Sequence, residues 1–69
     1  MTLEPVTSSN IAAVGYDDDT QTLTIEFRSG GTCEFYDVPE QVHQGLMQSG
    51  SLGQDFQSEI RGRYRYVRL

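Results

Sequence analysis

Apolar and polar residues alternate most regularly over residues 22–28, where Leu23, Ile25 and Phe27 are separated by polar residues. A period of two residues predicts a β-strand with one buried face and one face toward water. A shorter apolar segment, residues 11–16, precedes it and ends at three consecutive aspartates, whose side chains favour a turn. The pattern therefore predicts two neighbouring strands joined by an acidic turn.

A glycine-containing turn follows the second predicted strand. Residues 29–32 read Ser-Gly-Gly-Thr, and glycine tolerates the positive φ that tight hairpin turns require. Cys33 and Phe35 then repeat the two-residue spacing on a returning strand. These segments predict a three-stranded antiparallel meander.

The apolar spacing changes to four residues after Pro39. Proline is favoured at the first helical position, Val42 and Leu46 lie four apart, and Gly50 can end the helix. This segment predicts the first of two short helices.

A second short helix is predicted directly afterwards. Ser51 can cap it, Phe56 and Ile60 again lie four apart, and Gly62 is a plausible stop. Residues 63–67 then alternate arginine and tyrosine and end in a valine, which predicts a last strand returning to the sheet. With residues 1–8 as a lead-in segment, the whole chain, 1–69, is predicted to be one α+β domain of order β-β-β-α-α-β, with its helices on one sheet face.

Charge is distributed very unevenly along the chain. The net charge is −5, but residues 1–60 carry −9 and residues 61–69 carry +4, and no lysine occurs. The acidic body argues against a protein that coats nucleic acid or anionic membranes by bulk charge, whereas the basic, aromatic end leaves room for a local site. A single cysteine excludes an internal disulfide framework, and the longest apolar run is too short for a membrane span, so we expect a cytoplasmic protein.

Several short segments match one known family in the same order along the chain. They are residues 8–11 leading into 14–17, the strand 23–27, the Gly30-Gly31 turn, Val38-Pro39, Ser51 and Gly53 before Phe56, and Ile60 with Tyr64 and Tyr66. With these segments the chain resembles the KTSC domain family over residues 6–68.

The resemblance implies a small domain of the kind found at the C-terminus of some lysyl-tRNA synthetases and also as a stand-alone protein. It implies no enzymatic activity, and RNA binding is the function suggested for such domains. The family usually carries a Tyr-x-Tyr pair where this chain has Cys33 and Phe35. Either these positions belong to the core, where Cys and Phe are acceptable replacements, or this chain has lost hydroxyl groups that contact RNA in relatives.

The arginine- and tyrosine-rich end is the strongest candidate site. Guanidinium groups hold phosphates, and tyrosine rings stack on unpaired bases. Strand alternation places the tyrosines on one face and the intervening arginines on the other, so the tyrosines could instead pack in the core while the arginines pair with carboxylates. The candidate nucleic-acid-binding residues are Arg61, Arg63, Arg65, Arg28, Tyr64, Tyr66 and Tyr36.

Other chemistry-bearing residues favour structural interpretations. Residues 50–53 match a G-x-x-G pattern, but without basic residues they favour a turn between helices. Residues 17–19 lack the glycine and glutamate of a calcium loop, and His43 has no partner at metal-ligand spacing. No nucleophile lies near a base, so we expect no enzyme, no cofactor and no small-molecule substrate.

Two functions remain open from the sequence. The first is a small RNA- or nucleic-acid-binding module that uses the arginine and tyrosine residues named above. The second is a protein-interaction or oligomerisation module that docks a partner, or a second copy, through an exposed strand edge or its short helices. The acidic body favours the second function, and the basic end favours the first.

Overall fold

A computed structural model describes residues 3–48, 50 and 52–69. The described residues form one antiparallel sheet, with strands in the order β1-β2-β3-β4-β5, and helices on one of its faces, which confirms the predicted α+β class. The elements are β1 (Glu4–Pro5), β2 (Ile11–Asp17), β3 (Thr22–Phe27), β4 (Thr32–Phe35), α1 (Glu40–Met47), α2 (Leu52–Asp55), a π-helical segment (Phe56–Ile60) and β5 (Tyr66–Arg68).

The lead-in segment contributes a strand that the sequence did not predict. In β1, Glu4 pairs with Val14 and Pro5 pairs with Ala13 of β2. Proline can occupy this place because β1 is an edge strand. Its missing N–H removes no hydrogen bond between two interior strands. The sheet therefore has five strands.

The core lies between the sheet and the helices, as the two-residue period indicated. Leu23 and Ile25 of β3 are fully buried, and so is Ile60 from the π-helical segment. Phe56 meets Phe35 edge-to-face, with 5.4 Å between ring centroids. The remaining buried members of this cluster are Ile11, Val14, Cys33, Val38, Leu46 and Leu52.

The second helical segment is wider than an ordinary α-helix. The backbone N–H of Arg61 donates to the carbonyl of Phe56, five residues earlier, at 3.0 Å. This spacing is the mark of a π-helix, and Phe56 and Ile60 both still face the core. Gly62 follows with a φ of 85°, a conformation suited to a helix stop. The predicted cap, Ser51, lies outside the described residues.

The last strand, β5, is shorter than the predicted strand and begins at Tyr66. Tyr66 pairs with Phe35, and Arg68 pairs with Cys33. The side chains of Tyr66 and Arg68 therefore lie on the helix-bearing face of the sheet, as those of Phe35 and Cys33 do. Tyr66 nevertheless remains 54% exposed. The helices therefore leave the β5 end of this face open to solvent.

Candidate functional site

An open groove of about 600 Å³ lies on the helix-bearing face of the sheet, over its β4–β5 end. Cys33 and Phe35 of β4 form its floor, and Phe56 closes it on the helical side. We call this feature the β5 groove. Its described lining residues are Ser9, Asn10, Ile11, Phe27, Arg28, Ser29, Gly31, Cys33, Phe35, Gly53, Phe56, Gln57, Arg61, Tyr66 and Arg68.

The floor and one wall of the β5 groove are aromatic. Tyr66 stacks on Phe35, with ring centroids 5.3 Å apart and planes inclined by 30°. Phe56 also meets Phe27 edge-to-face at 5.6 Å, which fixes the opposite side. Phe35 is buried whereas Tyr66 is largely exposed, so Tyr66 presents an accessible ring that rests on a buried one.

Three arginines from three different elements surround this aromatic floor. Arg28 follows β3, Arg61 ends the π-helical segment, and Arg68 lies in β5. Arg28 donates from Nε to the carbonyl of Ser8, which ties the β1–β2 loop to the rim. The guanidinium of Arg68 lies over Gly31, where an added Cβ would come within 3.3 Å of its Nη2 atom.

The rim carries positive charge that the protein does not itself neutralise. Among the described residues that line the β5 groove, none is an aspartate or a glutamate. Within residues 3–48, 50 and 52–69, moreover, no ion pair links any of the five arginines to a carboxylate. A chain of net charge −5 thus holds a groove with three unneutralised arginines.

The structure divides the predicted site residues into two groups. Arg28, Arg61 and Tyr66 line the β5 groove, whereas Arg63 and Arg65 do not. The sequence prediction omitted Arg68, although it lies two residues after Tyr66 and so shares its face.

The other two predicted tyrosines also lie away from the groove. Tyr64 is partly buried and packs against the hydrophobic core. Tyr36 donates its hydroxyl to Glu34 at 3.2 Å, and its backbone N–H bonds to the carbonyl of Arg65. Glu34 pairs with Val67 and lies next to Phe35 in the strand, so its side chain is on the sheet face opposite to the groove. Tyr36, two residues after Glu34 and bonded to it, lies on that same opposite face.

A second recess, uncharged and polar, adjoins the β5 groove and shares Ser9, Asn10, Gly53 and Gln57 with it. Its volume is about 680 Å³. The hydroxyl of Ser8 accepts hydrogen bonds from the backbone N–H groups of Asn10 and Ile11, at 3.3 and 3.4 Å, and so shapes the loop that forms one wall. The remaining described lining residues are Thr7, Ser8, Gly50, Leu52, Gln54 and Ser58.

The described residues of the G-x-x-G pattern and of the aspartate cluster make local structural contacts. Leu52, inside the pattern, is buried in the core at the start of α2, which fits a turn between helices. The aspartates bring ligand atoms within 4.8 Å of one another, but Asp17 accepts the N–H of Asp19 at 3.0 Å, as in a side-chain-stabilised turn. Exposed acidic turns of this kind are common without an ion.

His43 belongs to a stacked pair of rings. Its ring is parallel to that of Tyr16 within 9°, with centroids 4.6 Å apart. Partial burial lowers the pKa of His43, against the opposing effect of Glu4 and Glu40. Burial, together with Glu40, raises the pKa of Tyr16, whose hydroxyl donates to the carbonyl of Val38 at 2.5 Å. This pair fastens α1 to β2.

The fold is a small α+β domain, in which helices cover one face of a five-stranded sheet. Beside the helices lies a concave, ligand-sized groove with arginines at its rim. The sequence model of the KTSC domain family matches residues 7–64. The chain belongs to the KTSC domain family, as its sequence motifs suggested. In the described part of the chain, no helix has the length and apolar character needed to cross a membrane.

Relatives of the chain fall into two kinds. The chain is 41% identical over 61 residues to a lysine–tRNA ligase of Nostoc punctiforme, covering 88% of this chain but 11% of that enzyme. It is also 37% identical over 67 residues to a protein of Tsukamurella paurometabola, covering 97% of this chain and 100% of that protein. The domain thus matches a small part of a long enzyme in one case and a whole protein in the other.

A solved structure shows the same fold. The crystal structure of a KTSC domain protein from Yersinia pestis matches with a TM-score of 0.96 and 38% sequence identity. The match covers 99% of this chain and 96% of that chain.

Proposed function

We propose that this domain is a non-enzymatic binding module for nucleic acid and that the β5 groove is its binding site. The observation that carries the proposal is the segregation of charge: an acidic chain gathers three arginines around an aromatic floor with no carboxylate in the described lining. Arginine binds phosphate oxygens bidentately, and an exposed tyrosine can stack on a base, so both chemistries of a nucleic-acid site meet in one place.

The relatives add independent support. Some of them are lysine–tRNA ligases, enzymes whose name states that a tRNA is their substrate. A domain that occurs within such an enzyme is within reach of RNA. This association supports an RNA ligand, and the charge distribution of the β5 groove supplies a surface for it.

The arginines offer a matched pair of variants for the test. Arg61→Gln with Arg68→Gln removes two charges from the β5 groove, and Arg63→Gln with Arg65→Gln removes two charges away from it. Both double variants change the net charge equally, so they separate a local site from bulk attraction. Binding of a fluorescein-labelled RNA single strand of about 12 nucleotides is followed by anisotropy.

The groove variant is expected to lose most of its affinity, and the off-groove variant to stay close to wild type. Three phosphate contacts predict a slope of log K against log salt of about −2 for a single strand, falling to about −0.7 in the groove variant. Equal losses in the two double variants would indicate bulk charge instead of a site. No salt-dependent binding by the wild-type domain at micromolar concentration would overturn the proposal.

A second candidate function, protein interaction or self-association, is favoured by the edge of the sheet. β5 is the last strand in the order, and Val67 and Leu69 at this edge are 48% and 68% exposed. Unpaired backbone groups along such an edge can take up a further strand. Sedimentation or light scattering over a range of concentrations tests self-association, and a constant monomer mass would contradict it.

A further inference from the structure

We infer that the β5 groove seats an unpaired nucleotide, so that the ligand of the domain is single-stranded nucleic acid and not a duplex. The inference rests on the proposed function and specifies the class of its ligand. It follows from the position of the accessible ring relative to the arginines, from the size of the groove and from the polar recess beside it.

The accessible ring belongs to the lining of the groove. Tyr66 stacks on the buried Phe35, and this contact holds its ring in place. A base within a helical stack has both faces covered, so it can stack on this ring only after leaving its neighbours. In a duplex the bases are paired and stacked, so the rim would meet mainly the sugar–phosphate backbone.

The arginines that line the groove with Tyr66 come from three different elements. Arg68 is two residues from Tyr66 on the same strand face, while Arg28 and Arg61 close the groove from the hairpin and the helical side. A volume of about 600 Å³ is the size of a site for a small molecule and not of a surface for a helix. A nucleotide whose base stacks on Tyr66 can place its flanking phosphates at the rim. It would then use the tyrosine ring and the arginines at the same time.

The polar recess extends the site with uncharged hydrogen-bonding groups. Ser9, Asn10 and Gln57 belong to both cavities, so they lie where the edge of an inserted base or its sugar would emerge. Amide and hydroxyl groups can donate to and accept from such polar edges. In a duplex the Watson–Crick edges are engaged in pairing, so only an unpaired base can offer those edges to these residues.

The experiment compares one labelled RNA strand of about 12 nucleotides with the same strand annealed to its complement. The single strand is expected to bind at least about 10-fold more tightly. Tyr66→Leu is expected to weaken single-strand binding by about 5- to 150-fold, the range typical of a lost base–aromatic stack, and to leave duplex binding unchanged. Tyr66→Phe, which keeps the ring, is expected to bind like wild type, and so is the off-groove control Tyr36→Leu.

A measurement on the unmutated domain does not depend on whether the variants fold. In NMR spectra, the single strand is expected to shift the ring protons of Tyr66 and to leave those of Tyr36 in place, because Tyr36 lies on the opposite face. Equal affinity for strand and duplex, with unshifted Tyr66 protons and with binding that still depends on Arg61 and Arg68, would overturn this inference and leave the proposed function standing. No binding of either RNA would overturn both.

Discussion

Replacing Phe56 is expected to weaken the fold more than its single position suggests, because its ring contacts two other rings. Phe56 is buried and meets Phe27 and Phe35 edge-to-face at centroid distances of 5.6 and 5.4 Å. Each such pair contributes about 0.5–1.5 kcal/mol beyond area burial. Phe56→Leu keeps an apolar side chain but loses both pairs, so the free energy of unfolding is expected to fall by about 1–3 kcal/mol.

The size of this loss matters because the whole domain is small. At about 0.05–0.15 kcal/mol per residue, 69 residues give a free energy of unfolding of about 3–10 kcal/mol. Phe56→Ala would cost about 3–5 kcal/mol and could unfold the protein outright, so the leucine variant is the informative one.

Urea unfolding followed by far-UV circular dichroism provides the assay, since the chain has no tryptophan. Leu69→Ala is the control, because Leu69 is 68% exposed and its truncation should change the free energy of unfolding by less than about 0.5 kcal/mol. If Phe56→Leu were no more destabilising than Leu69→Ala, the aromatic cluster would not stabilise the domain in the way its geometry indicates.

Two further predictions concern the contact between α1 and β2. Tyr16→Phe removes the hydroxyl that donates to the carbonyl of the buried Val38, and urea unfolding should show a loss of about 1–2 kcal/mol. For His43, burial lowers the pKa in the folded state, despite Glu4 and Glu40, so the unfolded chain binds the proton more readily. Its contribution to stability is therefore present above about pH 6.5 and lost as pH falls below it. Urea midpoints should show this trend in wild type but not in His43→Gln.

The strands with a clear period of two could be predicted from the sequence. β3 and β4 lie where the apolar alternation placed them, β2 lies on the short apolar run before the aspartates, and Gly30, with a φ of 102°, forms the predicted turn. β1 could not be predicted in the same way, because two residues carry no period and one of them is a proline. Its strand character comes from pairing with β2, which is a tertiary effect.

The candidate site could be predicted in part. The alternation at the C-terminal end predicted one strand face for both tyrosines, but β5 begins only at Tyr66, which lines the groove, whereas Tyr64 precedes β5 and packs against the core. Extending the same period by one step would have placed Arg68 beside Tyr66. No local sequence pattern could show that Arg28 and Arg61 line the same groove. Arg28 follows a hairpin strand and Arg61 ends a helical segment, so only the tertiary fold brings them together.

The length of β3 separates the aspartate turn from the proposed nucleic-acid site. The aspartate turn and the β3–β4 turn lie at opposite ends of β3, whose six residues span about 20 Å. The Debye length is about 8 Å at physiological ionic strength, so the aspartates are largely screened from a phosphate at the rim of the β5 groove. At about 0.01 M salt the Debye length grows to about 30 Å, and the whole body then repels the ligand. Near physiological ionic strength, the salt dependence of the proposed binding is therefore expected to report charges close to the groove, whereas the aspartate turn and the net charge contribute more at very low salt.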